Sequence, residues 1–328
     1  MKLLLALSAV TLTGCGLVRG DRVGASDAAV SDVGTSEVAA SPAVIVRAEG
    51  RDLHLALSAT HLYWITAPIL GEQPGTISRM MLPDGPVEPF VISGADRALR
   101  IVGSTAYWTR DDAALLSDDT TSGTGELLAT LRGRASYVTL DTKRMLWAET
   151  HDDGTSLIGS RNLSDLDRGV VLTDISAPTG LALAEAQVYF TALDGNVYQA
   201  GLVGTVATAV ATGEQNPSDL TFAAGRLVWI NHGNMVTHAG GSLRSMSTKV
   251  GPPTELEGFE GEPTAFFVDG DTTYVGIWNG RVGSLVAHSS GGLRSIATNL
   301  DQPVSIVATP SNLYVSEKKG DILRLAKP

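Results

Sequence analysis

Apolar residues along this chain fall into short runs separated by polar or glycine-containing positions. From residue 53 onward one local order recurs: an apolar run, a polar turn, then an aromatic-rich strand. The aromatic members are Leu62-Tyr63-Trp64, Ala106-Tyr107-Trp108, Met145-Leu146-Trp147, Val188-Tyr189-Phe190, Leu227-Val228-Trp229, Thr273-Tyr274-Val275 and Leu313-Tyr314-Val315. Their last positions are 64, 108, 147, 190, 229, 275 and 315. A period of this length, carrying aromatic β motifs, signals the blades of a propeller.

Each copy has similar flanks. The preceding apolar runs are Leu53 to Leu57, Leu99 to Val102, Tyr137 to Leu140, Leu181 to Leu183, Leu220 to Phe222, Ala265 to Val268 and Val304 to Val307. Pro178, Pro217, Pro263 and Pro303 open four of them. A third strand follows the aromatic one, as in Thr76-Ile77-Ser78-Arg79, and a final apolar stretch such as Val170-Val171-Leu172 closes most units. Four short β-branched and aromatic-rich strands with turns between them describe an antiparallel blade. The inner runs are apolar at both parities, as expected of a strand covered on both faces. The Gly and Thr content and the lack of 3.6-residue periodicity argue against a helical array; a β-sandwich is the other all-β reading.

Strand counting predicts how the ring closes. The last unit, Val304–Val307, Leu313–Ser316 and Ile322–Leu325, lacks a fourth strand. Val44-Ile45-Val46-Arg47 belongs to no complete unit and can supply it, which removes an exposed edge. Residues 43–328 then form a seven-bladed propeller, with six or eight blades as the alternatives. Pro42 suits the start of an outer edge strand.

The composition narrows the partners. Of 328 residues only 18% are charged, and 24 Lys+Arg against 35 Asp+Glu leave a net charge of −11. That balance argues against nucleic acid and against an electrostatic grip on anionic lipid. One cysteine cannot form an internal disulfide.

That cysteine has a distinctive setting. Lys2 and the apolar stretch Leu3 to Leu12 have the lengths of a signal peptide's n- and h-regions. Leu12-Thr13-Gly14-Cys15 follows and resembles the lipobox of bacterial lipoproteins. The resemblance implies cleavage after residue 14, acylation at Cys15 and, with Gly16 next, sorting to the outer membrane of a diderm bacterium. Residues 15–42 then read as a lipidated cysteine and a flexible tether. Gly, Ala, Ser, Val and Asp dominate the tether, and it has no aromatic residue.

The propeller also resembles known families. Tyr63-Trp64-Ile65-Thr66 and Tyr107-Trp108-Thr109-Arg110 look like the YWTD repeat, and Pro178-Thr179-Gly180-Leu181-Ala182-Leu183 looks like its inner strand. NHL and virginiamycin B lyase-like propellers are similar as well. These resemblances imply a fold and leave the ligand open.

Topology places the loops after aromatic strands on the face where inner strands enter, the usual binding face of a propeller. Candidates there are Arg110, Asp111, Glu149, His151, Asp152, Asn231, His232 and Glu317; the entry residues Asp52, Asp96, Arg134, Asp174, Asn216, Glu262 and Asp301 lie near them. His151 and His232 are the candidate acid–base or metal-ligating residues. They lie two blades apart, which predicts that they do not share one metal. His238 follows His232 in an enlarged fifth unit, at a spacing that matches no metal motif. No G-x-S-x-G elbow, Walker loop, H-E-x-x-H or complete EF-hand loop occurs. The leading expectation is a non-catalytic, membrane-anchored propeller, without cofactor, that binds an envelope protein, peptide or glycan. The alternative is a divalent-metal-dependent enzyme, lyase- or lactonase-like, acting on a small extracytoplasmic substrate.

Overall fold

The computed structural model describes residues 42–48, 53–66, 75–91, 94–110, 114–119, 125–141, 143–164, 168–203, 206–248 and 251–328. Residues 1–41, which include the expected signal peptide, Cys15 and most of the expected tether, lie outside them, as do Asp52 and Asp111. Among the described residues no helix is long and apolar enough to cross a membrane.

Among the described residues, twenty-eight strands form seven four-stranded antiparallel sheets. β1 (Ala43–Arg47) stands apart from its neighbours in sequence. Blade 1 is β2 (His54–Leu57), β3 (His61–Thr66), β4 (Thr76–Met81) and β5 (Val87–Val91). Blade 2 is β6 (Ala95–Val102), β7 (Thr105–Arg110), β8 (Ala114–Asp119) and β9 (Glu126–Thr130). Blade 3 is β10 (Arg134–Leu140), β11 (Arg144–Thr150), β12 (Ser156–Asn162) and β13 (Arg168–Ile175). Blade 4 is β14 (Pro178–Ala184), β15 (Gln187–Ala192), β16 (Val197–Gly201) and β17 (Thr208–Ala211). Blade 5 is β18 (Pro217–Ala223), β19 (Arg226–Asn231), β20 (Ser242–Ser247) and β21 (Thr254–Gly258). Blade 6 is β22 (Glu262–Asp269), β23 (Thr272–Trp278), β24 (Gly283–Ser289) and β25 (Gly292–Leu300). Blade 7 is β26 (Pro303–Ala308), β27 (Asn312–Glu317) and β28 (Asp321–Ala326), completed by β1.

The closure expected from strand counting is present: β1 pairs antiparallel with β28, Ala43 opposite Arg324 and Arg47 opposite Asp321. Neighbouring inner strands touch in the order β2, β6, β10, β14, β18, β22, β26 and back to β2, so the ring is complete.

The core sits in the seams between blades. Each of the seven apolar clusters joins residues of two adjacent blades. Trp64, Trp108, Trp147 and Trp229 are fully buried wedge-fillers, as their recurrence in the repeat predicts. At the first seam Tyr63 meets Phe90 edge-on at 5.5 Å, and Phe90 meets Trp108 of the next blade at 6.1 Å.

The prolines mark a shared irregularity. In blades 4, 6 and 7 the pairing register shifts between the proline and the second residue after it, leaving Thr179, Thr264 and Val304 unpaired. In blade 5 the shift comes later, between Ser218 and Thr221. Ser218 stays in the ladder opposite Ile230, and Asp219 takes a left-handed backbone with φ of 52°. A bulge moved along a strand turns the residues it passes to another face.

Candidate functional site

The face that collects the ends of the aromatic strands and the entries of the inner strands holds three buried carboxylates with a related task. In blade 3 Glu149 is the penultimate residue of the aromatic strand; its Oε1 accepts the backbone N–H of Arg132 and, at 2.7 Å, that of Gly133, while its Oε2 accepts Trp147 Nε1 at 3.3 Å. In blade 7 Glu317 Oε1 accepts the Asp301 N–H at 2.7 Å. In blade 5 the polarity is reversed: the aromatic strand ends in Asn231, and Glu214, from the loop entering β18, accepts Asn231 Nδ2 at 2.6 Å and Trp229 Nε1 at 3.2 Å. Each carboxylate ties the aromatic strand to the loop feeding its own blade. Charged acceptors of backbone N–H groups form strong hydrogen bonds.

These contacts define what the sequence-selected residues do. Glu149 and Glu317 are buried and occupied by backbone donors. His151 lies against Glu149, Nε2 to Oε1 at 3.1 Å, and its Nδ1 lies 3.1 Å from Thr155 Oγ1. Asp152 is exposed in the turn, and Arg110 ends β7 half-buried. The side chain of Asp153 bonds Thr155 through the hydroxyl and the backbone N–H, which holds its carboxyl below the usual range. His232 belongs to a separate network in blade 5 and shares no ligand with His151. Among the described residues no group of three or more His, Cys, Asp or Glu side chains is arranged to hold a metal.

The blade 5 network spans two blades. Glu262, at the entry of β22, is buried. Its Oε2 lies 2.5 Å from His238 Nδ1, and its Oε1 lies 3.1 Å from His232 Nδ1, close but not aligned as a hydrogen bond. On its other side His232 Nε2 lies 2.7 Å from Ser218 Oγ. A carboxylate beside Nδ1 favours the tautomer protonated there, so Nε2 accepts the Ser218 hydroxyl proton. Ser218 Oγ is also 3.5 Å from Asp219 Oδ2.

The enlarged segment 233–241 makes this possible. Asn234 Oδ1 caps the Val236 and Thr237 N–H groups at 3.0 Å, and Gly240 and Gly241 donate to the carbonyls of Glu260 and Gly261. The segment is thereby fixed to the chain entering blade 6, and it delivers His238 to Glu262.

Asp219 and Arg100 come from inner strands of different blades, and solvent reaches both between the surrounding strands. Enclosure raises the Asp219 carboxyl above its usual range, against the opposing charges of His232 and Arg100. Enclosure likewise lowers the Arg100 guanidinium, with Asp219 acting against it.

Beside this network lies a cleft of about 440 Å³, lined by residues that include Glu214, Asn231, Ser242, Arg244, Glu255 and Phe259. Arg244 Nη2 donates to Glu214 Oε1 at 3.2 Å, and Nη1 reaches Glu255 Oε2 at 3.5 Å. The Oδ1 atom of Asn231 is buried there without a hydrogen-bond partner. Sequence reading found Asn231, His232 and Glu262, but not Ser218, Glu214 or Arg244. A departure from the repeat, serine where two other units have threonine, is the signal that could have found Ser218.

No family model matches this chain, and no curated protein matches it. Solved structures do. A catalytically inactive variant of virginiamycin B lyase from Staphylococcus aureus, crystallised with quinupristin, is similar with a TM-score of 0.65 and 13% identity, covering 86% of this chain and 98% of that one. The WD40 domain of Toxoplasma gondii coronin is similar at 0.59 and 13%, covering 87% and 83%. BamB from Moraxella catarrhalis is similar at 0.50 and 15%, covering 82% and 81%. What the chain shares with these proteins is the propeller fold.

Proposed function

We propose that this chain is a lipid-anchored lipoprotein of the bacterial envelope whose propeller binds a polar ligand, a peptide or glycan segment, on the entry face of blade 5. The observation that carries the reading is the cleft beside Asn231. It joins a guanidinium held in place by Glu214 and Glu255 to a buried amide oxygen with no partner. A buried unpaired acceptor costs free energy, and a ligand donor would relieve it. Few convergent polar groups in a concave site are the usual makings of recognition. The envelope location rests on Leu12-Thr13-Gly14-Cys15.

The test uses the purified Cys15→Ser protein on peptide and glycan arrays, with hits measured by calorimetry. Binding should weaken at least tenfold in Arg244→Ala and stay unchanged in Asp194→Ala, which alters blade 4. Absence of any hit, or equal affinity in Arg244→Ala, overturns the reading.

A further inference from the structure

We propose that Ser218 is a nucleophile, activated by His232 with Glu262 behind it, and that the blade 5–6 mouth cleaves carboxylic esters. The inference stands apart from ligand binding in the neighbouring cleft and uses none of its residues.

Thr179 and Thr264 each follow an inner-strand proline, and each donates its hydroxyl to the proline carbonyl of the next blade, Pro217 O at 2.5 Å and Pro303 O at 2.7 Å. In those blades the hydroxyl is an inter-blade staple. Ser218 follows Pro217 in the same way, but the later bulge keeps it in the ladder opposite Ile230. Its hydroxyl instead meets His232 Nε2 at 2.7 Å. The adjoining Asp219 holds a left-handed backbone, a conformation that non-glycine residues adopt rarely and often near functional sites.

The three groups have the order that nucleophilic catalysis needs: hydroxyl, imidazole, carboxylate. Glu262 is shared with His238, so its position is fixed from two sides. His232 lies between blades 5 and 6, with Ser218 Oγ hydrogen-bonded at Nε2 and Glu262 Oε1 3.1 Å from Nδ1. The staple hydroxyls of Thr179 and Thr264 bond backbone carbonyls, whereas the Ser218 hydroxyl meets an imidazole.

The chemistry balances with water as the only co-reactant. The Ser218 Oγ–H bond breaks and its proton passes to His232 Nε2 as Oγ bonds to the ester carbonyl carbon. The bond from that carbon to the alcohol oxygen breaks, and His232 returns the proton to the leaving alcohol. Water then loses a proton to His232 and attacks the acyl carbon. The acyl–Oγ bond breaks, and the proton restores the serine hydroxyl. Nothing is oxidised or reduced.

The test is labelling of the purified full chain with a fluorophosphonate, in which Ser218 Oγ bonds phosphorus and fluoride leaves. Mass spectrometry should place the adduct on Ser218, and Ser218→Ala should abolish it. His232→Gln should slow labelling by roughly 10²-fold or more, in the range of a lost general base. Glu262→Gln should slow it less and move its pH profile, because the group acts through His232. Asp194→Ala, in blade 4, should label like the wild type, and Ser218→Ala should still bind the cleft ligand, which separates this outcome from the binding reading. Should His232→Gln fail to fold, Ser218→Thr serves as the second variant: it keeps the hydroxyl, adds a methyl and should cut labelling at least tenfold. A folded wild type that stays unlabelled, or an adduct that survives Ser218→Ala, overturns the proposal.

Discussion

Gly180 of blade 4 faces Leu220 of blade 5 so closely that a β-carbon on Gly180 would stand 2.5 Å from the Leu220 backbone nitrogen. The same atom would lie 2.8 Å from the Asp219 nitrogen. The shifted bulge of blade 5 therefore depends on a missing side chain in the blade before it. Gly180→Ala should destabilise the fold by about 1–3 kcal/mol, the usual cost of overpacking against backbone. It should also displace Asp219 and Ser218. Urea denaturation measures the first effect and fluorophosphonate labelling the second; an unchanged midpoint would show that the seam yields freely.

The buried carboxylates give a second expectation. Glu149→Ala removes the acceptor shared by the Arg132 and Gly133 N–H groups. A loss of about 1–3 kcal/mol follows from unsatisfied buried donors. Asp152→Ala, three residues along in an exposed turn, should stay within about 0.5 kcal/mol of wild type. Equal thermal midpoints for the two variants would contradict the staple role of Glu149.

Asp219 sets a pH dependence. Its folded-state pKa lies above the ordinary value of 3.8, so between those two points the folded chain holds a proton that the unfolded chain releases. Stability therefore falls as pH rises through that window and levels off above it. The ionised carboxylate is then the less stable form at neutral pH, by an amount that the solvent reaching Asp219 reduces. Asp219→Asn should raise the melting temperature at about pH 7 and leave it nearly unchanged at about pH 3. A lower melting temperature at neutral pH would mean that attraction from Arg100 and His232 outweighs the enclosure.

Much of the architecture was legible because seam-filling is a property of residue type. A buried wedge calls for the same large side chain in every blade, so Trp64, Trp108, Trp147 and Trp229 announce the period by themselves. The closing strand was legible because hydrogen-bonding edges must be matched: one strand was spare at the N-terminal end and the last unit lacked one. The entry face was legible from topology alone, and Asn231, His232 and Glu262 all lie on it. Ser218 was hidden because its direction depends on where a bulge falls, and Pro217-Ser218-Asp219 does not differ enough from Pro178-Thr179-Gly180 to say. The role of Glu149 was hidden too: a carboxylate at a strand end looks the same in sequence whether it faces solvent or a backbone N–H.

The anchor is tested directly. Radiolabelled palmitate should enter the wild-type chain and not Cys15→Ala, because one acylated cysteine is the proposed attachment point. Equal labelling of both would refute it.

Pairing of β1 with β28 also sets an order of assembly. The first strand of the ring is made early and must wait for the last before its edge is satisfied. Contacts between distant parts of a chain form slowly, because the intervening segment must be ordered first. A nascent chain short of β28 exposes an open seam and an unpaired strand edge, the template on which chains aggregate. The seam between blades 7 and 1 is thus the step that commits the ring to its final form. Pulse-labelled hydrogen exchange should find the amides of β1 and β28 protected last, after blades whose four strands are contiguous in sequence.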